Sequence, residues 1–167
     1  MQQPRRSLQL AHWLALSALL IVLDQASKGW IMSAFRPGES LTVTPFFDLV
    51  LVFNPGAAFS FLSSAAGWQR WLFVALALGI SAWIVLMLKR HAHERLEPLA
   101  LTLVLGGALG NVIDRLIHAA VVDFLSFHAG SHYWPAFNVA DSAISVGVAL
   151  MLWQQFAARS NNTHQNE

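Results

Sequence analysis

At 167 residues, 56% of them hydrophobic and 11% charged, the chain departs from the balance of a soluble domain and reads as a membrane protein. A formal net charge of +1, with no basic stripe and no aromatic nucleic-acid motif, gives no reason to expect a nucleic-acid partner. The lack of cysteine excludes a disulfide framework, a thiol nucleophile and a zinc–thiolate centre.

Four segments, about 10–31, 71–89, 98–117 and 140–157, are apolar over the roughly 20 residues that a helix needs to cross a bilayer. Arg5 and Arg6 ahead of the first also suit a secretory signal peptide, but the stretch continues through Asp24 and Lys28 to Trp30 and Ile31 without an A-x-A cleavage pattern, so a retained helix is expected. Arg5 and Arg6, the "KRHAHER" loop at 89–95 and Arg159 mark the cytoplasmic side, which puts both termini inside. Between the first two spans, "ESLTVTPFFDLVLVFN" is rich in β-branched and aromatic residues and stops at "NPG". It predicts two or three short strands and a turn within an outer segment at about 36–68. Phe46, Phe47, Leu49, Leu51 and Phe53 would then lie at the membrane interface, with Trp68, Trp71 and Trp134 as aromatic anchors. No internal repeat is visible. Residues 1–157 read as a single membrane-embedded domain, and 158–167 as a disordered cytoplasmic tail.

With this orientation the first and third helices run outward. Asp24 and Lys28 then lie in the outer part of the first, while Asn111, Asp114 and Arg115 lie near the outer end of the third. Asp123 and Asp141 flank the outer loop that joins the third and fourth. Four of the nine acids thus converge on one face of the membrane, where polar groups are costly unless they face a bundle interior or a water-filled cavity.

Each group also has a bland explanation. Asp24 and Lys28 are spaced i, i+4 and can simply pair. Ser27 beside Lys28 raises a serine–lysine hydrolase, but adjacent residues diverge around a helix. Gly106 and Gly110 form G-x-x-x-G, a sign of close helix packing. Asp114 and Arg115 can balance each other locally, and Arg115 is a fixed cation suited to orienting and neutralising. His118, His128 and His132 lack metal-ligand spacing and fall in a loop, so no metal is expected. Asn138 can cap the fourth helix, with Asp141 stabilised in its first turn by the helix dipole. Asp123, in "VVDFLSF", has no such local reason. Two nearby carboxylates at a partly dry interface can hold one proton between them, giving a base for water and an acid for a leaving amine. The dipole favours the charged form of Asp141, which leaves Asp123 as the usual proton carrier.

The motifs "DQASK" (24–28), "NPGAAFS" (54–60), "GGALGNVIDR" (106–115), "VVDF" (121–124) and "FNVADS" (137–142), in this order, resemble those of the lipoprotein signal peptidases, the signal peptidase II family of bacterial inner-membrane aspartic proteases. The resemblance implies an α-helical membrane protein of four transmembrane helices with a small extracytoplasmic β-sheet and a short interfacial helix. It implies Asp123 and Asp141 as the catalytic pair, and Asp24, Lys28, Asn54, Gly56, Asn111, Asp114, Arg115, Asn138 and Ala140 as supporting or substrate-binding residues. The implied reaction removes signal peptides from diacylglyceryl-modified prolipoproteins by cleavage on the amino side of the lipidated cysteine, at the periplasmic face and with no cofactor. Membrane lipids and globomycin-type cyclic peptide inhibitors are the other implied partners, and a monomer is expected. Two other classes stay open on the residues alone: a small proton-coupled carrier using the same acids, and a structural membrane subunit, which would leave Asp123 unexplained.

Overall fold

The computed structural model describes residues 3–56, 67–93 and 95–163, with the backbone alone at 3–7 and 158–163. Four long helices run through it: α1 (Gln3–Ala34), α2 (Trp68–His91), α3 (Leu96–His118) and α4 (Val139–Thr163). Three stretches, Leu8–Ala34, Trp68–His91 and Leu96–His118, are long and apolar enough to cross a membrane. α3 is the central helix, with α1, α2 and α4 each packed along it, whereas α1 and α2 scarcely meet. The outward faces of α1 and α2 stay apolar, with Leu19, Val22, Leu76 and Trp83 exposed. A helix apolar on all sides is the pattern expected where hydrocarbon replaces water.

Between apolar helices in lipid there is little hydrophobic gain, so small residues and close backbone approach hold them together. A Cβ at Gly106 would come 2.9 Å from Cβ of Leu20 and 3.1 Å from the Ser17 carbonyl on α1, as the G-x-x-x-G spacing suggests. The opposite contact was not signalled by that spacing: a Cβ at Gly107 would strike the Ala140 carbonyl of α4, and one at Gly147 would come 2.7 Å from the Ala100 carbonyl of α3. The α2–α3 seam adds a buried cluster of Ile84, Leu88, Leu101 and Leu105.

Above one end of the bundle lies an antiparallel sheet in the order β1 (Ser40–Thr44), β2 (Phe47–Asn54), β3 (Val121–Ala129), β4 (His132–Tyr133). Ile31 from the end of α1 packs with Leu51, Val122 and Phe124, which fastens the sheet to the helices. The outer segment therefore forms strands as expected, but only half the sheet comes from it. Residues 121–129, expected as loop, are its third strand. β3 is buried at Val121, Val122, Asp123 and Phe124 in succession, so the two-residue alternation that marks a half-exposed strand is absent from this part of the sequence. His118, His128 and His132, read as a loop group, instead occupy the end of α3, β3 and β4. α4 continues to Thr163, beyond the expected end at 157, and 164–167 lie outside the described residues. Residues 57–66, which hold the second half of "NPGAAFS", also lie outside them, and a short interfacial helix is not among the described elements.

Replacing Gly107 by Val should push α4 from α3 and lower stability by about 1–3 kcal/mol, seen as a reduced thermal midpoint in detergent. The same change at Gly79, which has nothing within 4 Å of an added Cβ, should leave the midpoint nearly unchanged.

Candidate active site

The site is assembled around a buried ammonium group. Lys28 Nζ lies 2.7 Å from Asp24 Oδ2 and 2.8 Å from Asp114 Oδ2, and all three side chains are at most 2% exposed. One cation between two carboxylates leaves oxygens to satisfy, and the chain supplies the donors. Gln25 Nε2 donates to Asp114 Oδ1 (2.8 Å) and to Asp24 Oδ2 (3.2 Å). The backbone N–H of Val122 on β3 donates to Asp114 Oδ2 (3.0 Å), and that of Ala140 on α4 donates to Asp24 Oδ1 (2.9 Å). The ion cluster thus ties α1 and α3 to the strand that carries Asp123 and to the first turn of the helix that carries Asp141. Ala140 takes part through its backbone N–H. Ser27 Oγ donates to the Asp24 carbonyl (2.8 Å), a bond within α1 that uses its proton away from Lys28.

Two asparagines lead from this cluster to the remaining acids. Lys28 Nζ donates to Asn111 Oδ1 (3.0 Å), and Asn111 Nδ2 donates to Asp141 Oδ1 (2.7 Å). Asn138 caps α4 as expected, its Oδ1 accepting the Asp141 N–H (2.8 Å). Its amide nitrogen does what sequence spacing could not show: Nδ2 donates to Asp123 Oδ1 (2.7 Å). One side chain therefore holds the carboxylate of the strand and the backbone of the helix together. The second oxygen of Asp123 accepts from Asn54 Nδ2 (2.9 Å). Asn54 pairs in register with Val121 and Val52 with Asp123, so Asn54 and Asp123 are diagonal neighbours on one face of β2 and β3. Phe137 pairs with Leu125, which seats the start of α4 against β3. Gly56, at φ 115, donates its N–H to Asn54 Oδ1 (2.9 Å) and fixes the amide that faces Asp123.

Asp123 is 1% exposed. Burial pushes its carboxyl up to about 6, and the charge of Asp141 adds to the rise, while the hydrogen bonds from Asn54 and Asn138 and the charge of Lys28 oppose it. The two acids therefore lie close enough to feel each other. Arg115 brings its charge near Asp141, Asp114 and Asp123, and its guanidinium stacks on the Phe73 ring, 5.2 Å from the centroid. Beside Asp141 a cavity of about 300 Å³ opens between α2, α3 and α4. Asn111, Arg115 and Asp141 lie at its sheet-side end, and Leu76, Ile80, Val104 and Ile144 wall the rest. Such a space can hold an apolar chain alongside a polar reacting end.

All eleven residues singled out in sequence belong to this one region. Gln25 and Phe73 were missed. Gln25 lies within "DQASK", but its partners are on α3 and so not visible from α1 alone. Of the histidines, His128 stacks on Tyr133 and approaches Asp48 at 3.5 Å, and His118 packs on Phe53.

A family model described as signal peptidase (SPase) II matches residues 16–157. The chain is 57% identical over 146 residues to a lipoprotein signal peptidase of Azoarcus sp. (strain BH72), covering 87% of this chain and 83% of that one. Identity is 53% over 146 residues to a lipoprotein signal peptidase of Burkholderia mallei (strain SAVP1), covering 87% and 88%. A solved structure described as a bacterial membrane enzyme is similar with a TM-score of 0.80 at 29% identity, over 90% of this chain and 91% of that one.

Removing the central cation alone should be severe. Lys28→Met should cost about 3–5 kcal/mol of stability, because it leaves two buried carboxylates without a counter-charge. Adding Asp24→Asn and Asp114→Asn should restore part of the thermal midpoint. The raised proton affinity of Asp123 has a definite sign: the folded state holds this proton more tightly than the unfolded chain, so its stabilising effect is complete below pH 4 and is lost as pH rises through about 6. The fall in stability between pH 4 and 7 should be smaller in Asp123→Asn, by on the order of 2 kcal/mol, in parallel denaturation series.

Proposed function

The chain belongs to the signal peptidase II family, and from that premise we propose that it is a membrane aspartic endopeptidase that removes signal peptides from diacylglyceryl-modified prolipoproteins, with Asp123 and Asp141 activating water. The observation that carries the reading is the shared support of the two acids: Asn138 holds both, through Asp123 Oδ1 and the Asp141 N–H. Asp141, in the first turn of α4 and hydrogen-bonded by Asn111, acts as the base. It takes a proton from water as the water oxygen attacks the scissile carbonyl carbon. Asp123, which holds its proton to about pH 6, gives that proton to the carbonyl oxygen. Collapse of the tetrahedral intermediate breaks the carbon–nitrogen bond. The α-amine of the lipidated cysteine leaves with the proton held by Asp141, and the hydroxyl proton returns to Asp123. Cleavage on the amino side of that cysteine leaves the lipid on the mature protein. Arg115 limits the charge that builds up near the pair. The apolar cavity beside Asp141 suits one acyl chain of the cysteine, which holds the bond at the depth of the acids and supplies the orientation that lowers the barrier.

The same reading makes residues 1–157 one peptidase domain with four transmembrane helices, α4 being the fourth. It sets both termini in the cytoplasm and the acids at the periplasmic face of the bacterial inner membrane. It has the protein work as a monomer among membrane lipids, and has globomycin-type cyclic peptides block it. The ion cluster of Lys28, Asp24 and Asp114 then has a supporting role. A proton-coupled carrier is set aside, since both relatives described above are lipoprotein signal peptidases.

Purified protein in lipid should shorten a diacylated prolipoprotein. Asp123→Asn and Asp141→Asn should each reduce that cleavage at least about a thousandfold while helix content and thermal midpoint are kept. Cleavage that persists in both folded variants would reject the mechanism.

A further inference from the structure

Three features of the site meet on the ring of Phe73, a residue with no part in the steps above. Its edge occupies the space beside Gly56: a Cβ added there would come 2.8 Å from Phe73 Cε2. Gly56 in turn fixes the Asn54 amide that holds Asp123. Its face carries the Arg115 guanidinium. Its outline forms part of the cavity that also contains Asp141 and Asn111, where α2 otherwise contributes Leu76, Ala77 and Ile80.

Arg115 needs such a support. Its guanidinium makes one hydrogen bond among the described residues, to the Asn111 carbonyl (3.2 Å), which leaves most of its five donors without a protein acceptor there. A long cationic side chain at the end of a membrane helix tends to extend towards water and lipid phosphate. An aromatic face opposes this by attracting the guanidinium through its quadrupole, and more strongly where water is scarce. Leucine in place of Phe73 would retain an apolar wall and lose this attraction.

We propose that Phe73 is a positioning residue that keeps the Arg115 charge turned inward, beside Asp123 and Asp141, during cleavage. The proposal rests on the reading of those acids as the reacting pair. It gives α2, which otherwise supplies only apolar wall to the cavity, an indirect part in the site through Arg115.

The test uses full-length protein in lipid vesicles and a diacylated prolipoprotein, with kcat and KM measured separately. Phe73→Leu should lower kcat roughly three- to thirtyfold, the range that loss of a cation–π contact gives, with little change in KM. Phe73→Tyr and Phe73→Trp, which keep an aromatic face, should stay within about twofold of the parent. Phe73→Leu in an Arg115→Lys background should lower kcat much less than it does in the parent, because the two residues act through one contact. Equal loss from the leucine and tyrosine variants, or additive losses in the double variant, would overturn the proposal. These outcomes are separate from failure of the mechanism itself, which would show as cleavage by folded Asp123→Asn and Asp141→Asn. Unchanged thermal midpoints identify variants whose kinetics can be compared, and the tyrosine variant keeps the comparison open should the leucine variant fold poorly.

Discussion

A lysine ammonium enclosed by two carboxylates, the buried charges among the described helical residues, is the constraint from which the rest of the site follows. Neither the cation nor the anions could be left alone at this depth, since an unpaired charge in a low-dielectric interior costs several kcal/mol. Once Lys28 is placed between Asp24 and Asp114, the carboxylate oxygens still have lone pairs that require donors, and besides Gln25 these come from other parts of the chain. Val122 brings the third strand and Ala140 brings the fourth helix. The need to satisfy buried polar groups therefore joins segments that are distant in sequence, which apolar packing in lipid would do only weakly.

The same requirement explains why asparagine recurs next to the acids. A neutral amide can donate from one end and accept at the other, so Asn111 and Asn138 link charged groups without adding a charge. Asn111 accepts from Lys28 and donates to Asp141, while Asn138 accepts from the backbone of α4 and donates to Asp123. A lysine at either place would hold both acids ionised. The amides oppose the effect of burial on Asp123 without cancelling it, so its proton affinity stays raised, the condition under which a pair of acids can divide into a donor and an acceptor of protons. The raised proton affinity thus lies at the residue on the strand, and its neighbour Asp141 lies in the first turn of a helix.

Position relative to the sheet and the helices completes the arrangement. The acids lie where the helices give way to the sheet, beside a cavity whose apolar wall descends between α2, α3 and α4. Under the proposed reading, a substrate whose cysteine carries two acyl chains is confined to the membrane surface, and the enzyme must bring water to it there. The small residues along α3 that permit close helix contact also bring the carboxylate of Asp24 against Gly110, where an added Cβ would come 2.7 Å from Oδ2. Packing and chemistry therefore draw on the same glycines.

The sequence by itself determined the membrane class, the long apolar helices, the first two strands, the Asp24–Lys28 pair and the Asn138 cap, because each depends on composition or on partners within about four residues. Its motifs also pointed to Asp123 and Asp141. Only the tertiary structure decided that Asp123 lies on a strand, that Asn54 and Asn138 share its two oxygens, that Lys28 also pairs with Asp114, and that Gln25 and Phe73 belong to the site. Each of these rests on contacts between residues from 15 to 89 positions apart, or between different helices, for which no local period exists. The strand at 121–129 was hidden because burial on both faces at 121–124 erases the alternation by which a strand is read, and its place is fixed by pairing with β2, by the cluster with Ile31 and Leu51, and by the bond from Val122 to the ion cluster.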